Sequence, residues 1–155
     1  MKMSEIREKI KETQKAAMKS KDKQKLAAVR LIMASLKDKD IDARTKNKPD
    51  GIDDNEILSM LQSMIKQRHE SIKMYKEGGR EELADRESAE IDVIEDFLPA
   101  QLSDEELESA IDTAITATGA EGIKDMGKVM AILKEKYAGQ MDMGKASGAV
   151  KSKLT

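Results

Sequence analysis

The chain has 155 residues, a net charge of −2 and no cysteine, and its only aromatic side chains are Tyr75, Phe97 and Tyr137. These totals allow one domain or two small ones and exclude disulfides and thiolate metal sites. No apolar run approaches the roughly 20 residues of a membrane span, and the N-terminus lacks the apolar stretch of a secretory signal, so a cytoplasmic location is expected.

A core without aromatics must come from Leu, Ile, Val, Met and Ala, which suits helix packing. Nothing alternates with period two long enough to form a strand, so an all-α fold is predicted. The first helix runs from about Ser4 to Ser20, with Ile6, Ile10, Thr13 and Ala17 on one face. After a polar break near Asp22, a second helix carries Leu26, Val29, Met33 and Leu36 as its main stripe. Ala27, Leu31 and Ala34 suggest a second stripe, and hence neighbours on both sides. Residues Thr45 to Gly51 read as a loop.

Asp53 and Glu56 form a capping-box pattern that opens a third helix. Ile57, Leu58, Leu61, Met64, Ile65, Ile72 and Tyr75 line its inner face, and Gly78-Gly79 ends it. A fourth helix extends from about Arg80 to Leu98, with Leu83, Ile91, Ile94, Phe97 and Leu98 inward, and Pro99 stops it. The boundary near Pro99 divides residues 1–99, a bundle of about four helices, from residues 100–155, a smaller three-helix unit. Ser103 and Glu106 cap the fifth helix, which Gly119 closes. The sixth spans about Asp125 to Tyr137, ahead of Gly139, and Asp142 caps a short seventh ending near Leu154.

The small net charge hides a pattern. Residues 1–48 hold 15 Lys and Arg against 7 acids, residues 49–121 hold 6 against 20, and residues 122–155 hold 7 against 3. Basic ends can mean nucleic-acid contact; the alternative is that basic and acidic segments pack beside one another. Lys124, Lys128 and Lys145 are the leading candidates for phosphate contact, followed by Lys134, Lys136, Lys151 and Lys153. Gly127, Gly144 and Gly148 lie among them. Glycine in a helix costs about 1 kcal/mol against alanine, so these positions suggest close approach, either to a phosphate backbone or to a facing helix.

Arg68 falls within the apolar stripe of the third helix, and Glu87 and Glu90 on the apolar side of the fourth. Charges there need partners, because desolvating an ion costs several kcal/mol, so an Arg68 pair with Glu87 or Glu90 is expected. His69, the single histidine, reads as an exposed helix residue. No metal site, EF-hand, phosphate-binding loop or hydrolase elbow is present in the sequence, and no cofactor is expected.

Several pieces together resemble the YqeY family: Val29-Arg30-Leu31 to Leu36-Lys37, Ile65-Lys66-Gln67-Arg68 with Glu70-Ser71, Tyr75, Gly78-Gly79-Arg80, Glu90-Ile91, Leu98-Pro99 and Lys124 to Met130. The chain departs from the family pattern at His69, where another basic residue is usual, and at Asp40, where Glu is expected. Gln140-Met141 replaces a more basic or smaller pair, which weakens the case for RNA contact through the tail. The family is similar to the C-terminal region of the GatB subunit of the tRNA-dependent amidotransferase. The resemblance implies a helical unit followed by a three-helix tail and a role in tRNA recognition. A carbon–nitrogen ligase label with glutamine as amido donor would then be inherited from the complex, since the chain has no Ser-Ser-Lys amidase signature and no ATP loop. The expected function is a non-catalytic tRNA-binding accessory module, with tRNA and an aminoacylation or transamidation enzyme as partners. The alternatives are a helical protein-interaction module and, least favoured, a free-standing amide-transferring enzyme.

Overall fold

A computed structural model of the chain describes residues 5–155; Ser4, the expected first-helix start, lies outside them. Among the described residues the regular structure is helical: α1 (Glu5–Ser20), α2 (Lys23–Thr45), α3 (Asp54–Glu77), α4 (Glu81–Glu95), α5 (Asp104–Thr118), a 3-10 turn (Ile123–Asp125), α6 (Met126–Lys136) and α7 (Met143–Leu154). The fold is all-α. The chain divides into two compact units, one ending at Leu98 and the other running from Pro99 to Thr155.

The starts and stops follow local chemistry. Asp53 and Ser103 each accept a bond from the amide three residues on, and Glu56 and Glu106 reach back to complete both capping boxes. Asp142 caps α7 by accepting from Gly144 N and Lys145 N. Gly79, Gly119 and Gly139 take left-handed backbone angles after their helices. α4 ends three residues before the expected Leu98. The amides of Phe97 and Leu98 bond to Ile94 and Glu95, only three residues back, because a residue preceding proline is pushed out of the α conformation.

In the first unit, α3 and α4 pack along each other, α2 packs on α4 and α3, and α1 packs on α2. Ile10, Val29, Ile32, Leu36, Ile57, Leu61, Met64, Ile94 and Phe97 fill the core. The expected second stripe of α2 is corrected: Ala27, Leu31 and Ala34 are exposed. The buried set is Ala28, Val29, Ile32, Leu36 and Ala43. At 100° per residue these cover one wide arc that also takes in Leu26 and Met33 at its edge. Its neighbours α1, α3 and α4 meet that single broad side, so the opposite face is left to water.

Two charged clusters hold this unit together. The Arg7 guanidinium grips Asp40 with both ends, at 2.8 Å each, and also donates to Ile52 O at 2.9 Å. Ile52 N donates to the same Asp40 carboxylate at 2.9 Å. One carboxylate thereby joins α1, α2 and the loop before α3. The Arg7 bond, opposed by burial and helped by the Ile52 amide, holds the Asp40 pKa below its usual value. Gly51 is obligatory beside it. Its φ is +86°, and a Cβ there would lie 2.2 Å from Asp40 Oδ1.

The second cluster bridges α3 and α4. Arg68 Nε lies 2.9 Å from Glu90 and 3.8 Å from Glu87, with the Arg68 side chain 14% exposed. Arg68 also donates to Met64 O. Burial, then repulsion from Glu90, raises the Glu87 pKa against the pull of Arg68.

In the second unit, α5, α6 and α7 pack pairwise. Leu107, Ala110, Ile111, Val129, Leu133, Ala146 and Val150 form its core. Leu102 N bonds to Gln140 O at 2.8 Å, pinning the segment that leads into α5 to the α6–α7 turn.

Asp40→Asn removes a charged partner whose folded pKa is lowered. The cost should be about 2 kcal/mol at neutral pH. It should close as pH falls through the lowered value, because the wild-type carboxylate is then protonated as well; denaturant melts across pH check this. Arg68→Ala strands two half-buried carboxylates and should cost about 2 kcal/mol. That is less than the roughly 3–5 kcal/mol of a fully buried pair, because the group keeps some water. Glu87→Gln should do the reverse. A raised folded pKa means that ionisation of Glu87 opposes folding, so the substitution should raise the Tm at pH 7 and have no effect at acid pH, where Glu87 is already neutral.

Candidate nucleic-acid interface

The seven lysines singled out in the tail do not share one environment. Lys145 Nζ lies 2.6 Å from Asp104, and Lys153 lies 2.7 Å from Asp112 and 3.4 Å from Glu108. These pairs run from α7 to the acidic face of α5, and they raise the pKa of both lysines, through the bonds to Asp104 and Asp112 first. Basic and acidic segments therefore do pack beside each other here. Residues 99–155 hold seven lysines against nine acids. A phosphate reaching Lys145 or Lys153 would have to displace a carboxylate.

Lys134 and Lys136 are exposed in the last turn of α6, and Lys151 in the last turn of α7. Cations at helix C-termini complement the partial negative charge of the last carbonyls, so their positions have an explanation within the unit.

Lys124 and Lys128 sit near Asp125, whose charge they favour, without closing a salt bridge to it. Both are exposed, and they flank the start of α6, the positive end of its dipole. No acidic residue lies in the first turn of α6 and no side chain caps it. Asp125, the residue at the cap position, turns back instead and accepts from Glu121 N at 3.1 Å. That bond, followed by Lys128 and Lys124, lowers its pKa. Between the two lysines Gly127 is also exposed, and a Cβ there would meet nothing within 4 Å. None of Lys124, Lys128, Lys134, Lys136 or Lys151 takes part in a salt bridge among the described residues.

The glycines answer one question left open by the sequence. A Cβ at Gly148 would also meet nothing, and one at Gly144 only the Asp142 side chain of its own cap. No facing helix requires these glycines. Lys145, Gly144 and Asp142 instead form a local cap at the start of α7, closed by Asp104.

Outside the tail, Arg68, Glu87 and Glu90 satisfy one another, and His69 is exposed on α3. Among the described residues no three His, Cys, Asp or Glu side chains converge on a point that could hold a metal. No helix among them is long and apolar enough to cross a membrane. The sequence pattern missed the Arg7–Asp40 cluster, because its partners lie 33 residues apart on different helices. It missed the uncapped start of α6 because Asp125 has the sequence appearance of a cap.

Comparison with known proteins places this architecture. The profile of the YqeY-like proteins matches residues 7–154. Curated relatives named "Altered inheritance of mitochondria protein 41, mitochondrial" include one from Candida glabrata, 33% identical over 89 residues, which are 57% of this chain and 47% of that protein. The relative from Eremothecium gossypii is 30% identical over 148 residues, 94% of this chain and 78% of that protein. The relative from Lachancea thermotolerans is 29% identical over 110 residues, 69% of this chain and 56% of that protein. The match thus spans about half the length of the first and third relatives. With a family profile covering residues 7–154 and a relative aligned over 94% of this sequence, the chain belongs to the YqeY-like family.

Proposed function

We propose that this chain is a non-catalytic tRNA-binding accessory module, related to the tRNA-recognition region of the amidotransferase that it resembles, and serving an aminoacylation or transamidation enzyme. The observation that carries the reading is the start of α6. Two lysines stand at the end of a helix dipole that repels them, beside an exposed glycine and without a side-chain cap. Within the unit the single Asp125 carboxylate faces both ammonium groups and the positive helix end, which leaves an excess of positive charge for an incoming phosphate. Backbone amides at a helix N-terminus, flanked by ammonium groups, favour an anion. Lys134, Lys136 and Lys151 add further exposed cations. Such contacts read the shape and charge of an A-form backbone, not its sequence. A carbon–nitrogen ligase activity would belong to the partner enzyme, since neither the family description nor the relatives' names indicate catalysis by this chain.

The protein-interaction reading also has a specific observation in its favour, a groove between α1 and α2 with an apolar floor. It concerns the other unit and is compatible with RNA contact at α6.

Fluorescence anisotropy of the purified chain with bulk tRNA, against duplex DNA of equal charge across a salt series, tests the reading. Binding should prefer tRNA and fall linearly in log affinity against log salt. Lys124→Ala with Lys128→Ala should flatten the salt slope by about one for each phosphate no longer neutralised and weaken binding on the order of tenfold. Lys145→Ala should leave the slope unchanged and lower the Tm slightly, as its charge serves Asp104. An absence of tRNA binding at low salt, or a slope that only Lys145 and Lys153 control, would refute the assignment. Glutamine hydrolysis by the isolated chain would overturn its non-catalytic part.

A further inference from the structure

The first unit carries a feature that tRNA contact at α6 does not use. A groove of about 330 Å³ runs between α1 and α2. Its α2 wall extends from Met33 to Arg44, a rise of about 16 Å over three helical turns. Ile10 and Leu36 close its floor. Met33 stands half-buried above them, and Ile41 is 49% exposed at the edge. Arg7 and Asp40 line it too, but they neutralise each other and their hydrogen bonds are directed inward to one another and to Ile52. The remaining charged groups around it are Lys11, Lys37 and Arg44. All three are exposed, and none forms a salt bridge among the described residues. Arg44 also acts on Asp40 from a distance, and the lining as a whole sets four cations, Arg7, Lys11, Lys37 and Arg44, against the one carboxylate over an apolar floor.

We propose that this groove is a docking site for an acidic amphipathic helix of a protein partner. The length of the wall fits about three turns of helix. The spacing of Met33, Leu36 or Lys37, Asp40 or Ile41, and Arg44 gives one contact row per turn, the arrangement by which a groove receives apolar residues at i, i+3 or i+4, and i+7. An apolar side chain of the incoming helix covers Met33 and Ile41, and methionine adapts its shape to such contacts. Asp and Glu on the flanks of that helix meet Lys11 on one wall and Lys37 and Arg44 on the other. Complementary charges of this kind select the partner and its orientation. A nucleic acid fits less well. No aromatic side chain lines the groove to stack a base, and phosphates gain nothing from Ile41 or Met33. The inference stands on α1 and α2 alone and does not rest on tRNA binding by the second unit.

The test uses the full chain and a fluorescein-labelled synthetic peptide with leucine at every third and fourth position and glutamate between. A scrambled peptide of the same composition and bulk tRNA serve as comparison probes. The amphipathic peptide should bind in preference to the scrambled one. Lys37→Glu with Arg44→Glu should weaken it at least about tenfold, and Ile41→Ser should weaken it several-fold. Lys73→Glu, at an exposed position of α3, should leave it unchanged. The α2 changes are all at exposed positions, and circular dichroism should show unaltered helix. Equal binding of the scrambled peptide, or indifference to the α2 changes, would overturn the proposal. Loss of tRNA binding in the double charge reversal, with no peptide binding by the parent, would overturn it in favour of an RNA surface. Absence of tRNA binding with intact, Ile41-dependent peptide binding would instead sink only the tRNA reading.

Discussion

The first unit depends on a single carboxylate. Asp40 sits late in α2, yet it is held by Arg7 from the start of α1 and by the Ile52 amide from the loop before α3. Helices α1 and α2 are joined by a turn of only two residues, Lys21 and Asp22, which by itself leaves their far ends free to splay. The Arg7–Asp40 pair closes that open end. A bidentate guanidinium–carboxylate pair fixes angle as well as distance, so it sets how the hairpin lies and where the chain re-enters to begin α3. Gly51 has to be glycine because the carboxylate lies where a Cβ would go. The aspartate, where a glutamate would be expected, brings the carboxylate one methylene closer to its helix, against the loop backbone.

The same closure defines the groove. Arg7 and Asp40 stitch α1 to α2 beneath its walls and use up their own charge in doing so. Lys11, Lys37 and Arg44 are left as the charges that face outward. At the other side of the unit, Arg68 performs a related task between α3 and α4. Its two carboxylates are unequal: Glu90 is within hydrogen-bond distance, whereas Glu87 is farther away and carries the cost of burial. One of the two acids therefore stabilises the hairpin and the other opposes it at neutral pH.

In the second unit, charge separates by helix. The acids of α5 attract Lys145 and Lys153 of α7, and the lysines at the end of α6 complement its carbonyls. At the start of α6 two lysines, Lys124 and Lys128, outnumber the one carboxylate near them, Asp125. Natural sequences are locally consistent with their structures except where function demands otherwise, and this excess of positive charge is why we propose a phosphate contact there.

The sequence by itself determined the helices, the all-α class and most of the core. Period-3.6 spacing marks Ile10, Ile57, Leu61, Ile111 and Leu133 for burial whatever their neighbours are, and Asp53, Ser103 and the glycines fix helix ends through bonds within three or four residues. The features that resemble the YqeY family are likewise short runs, legible in the residues themselves. Tertiary structure alone decided the rest. The periodicity of α2 shows two apolar arcs, but only packing selects one, and it left Ala27, Leu31 and Ala34 in water. A lysine has the same appearance in sequence whether it closes a salt bridge to a carboxylate 41 residues away, as Lys145 does, or closes none, as Lys128 does. Asp125 looks like a helix cap and bonds backward instead. Local bonds are written in local sequence, whereas charge partners depend on which surfaces the folded chain brings within a few ångströms.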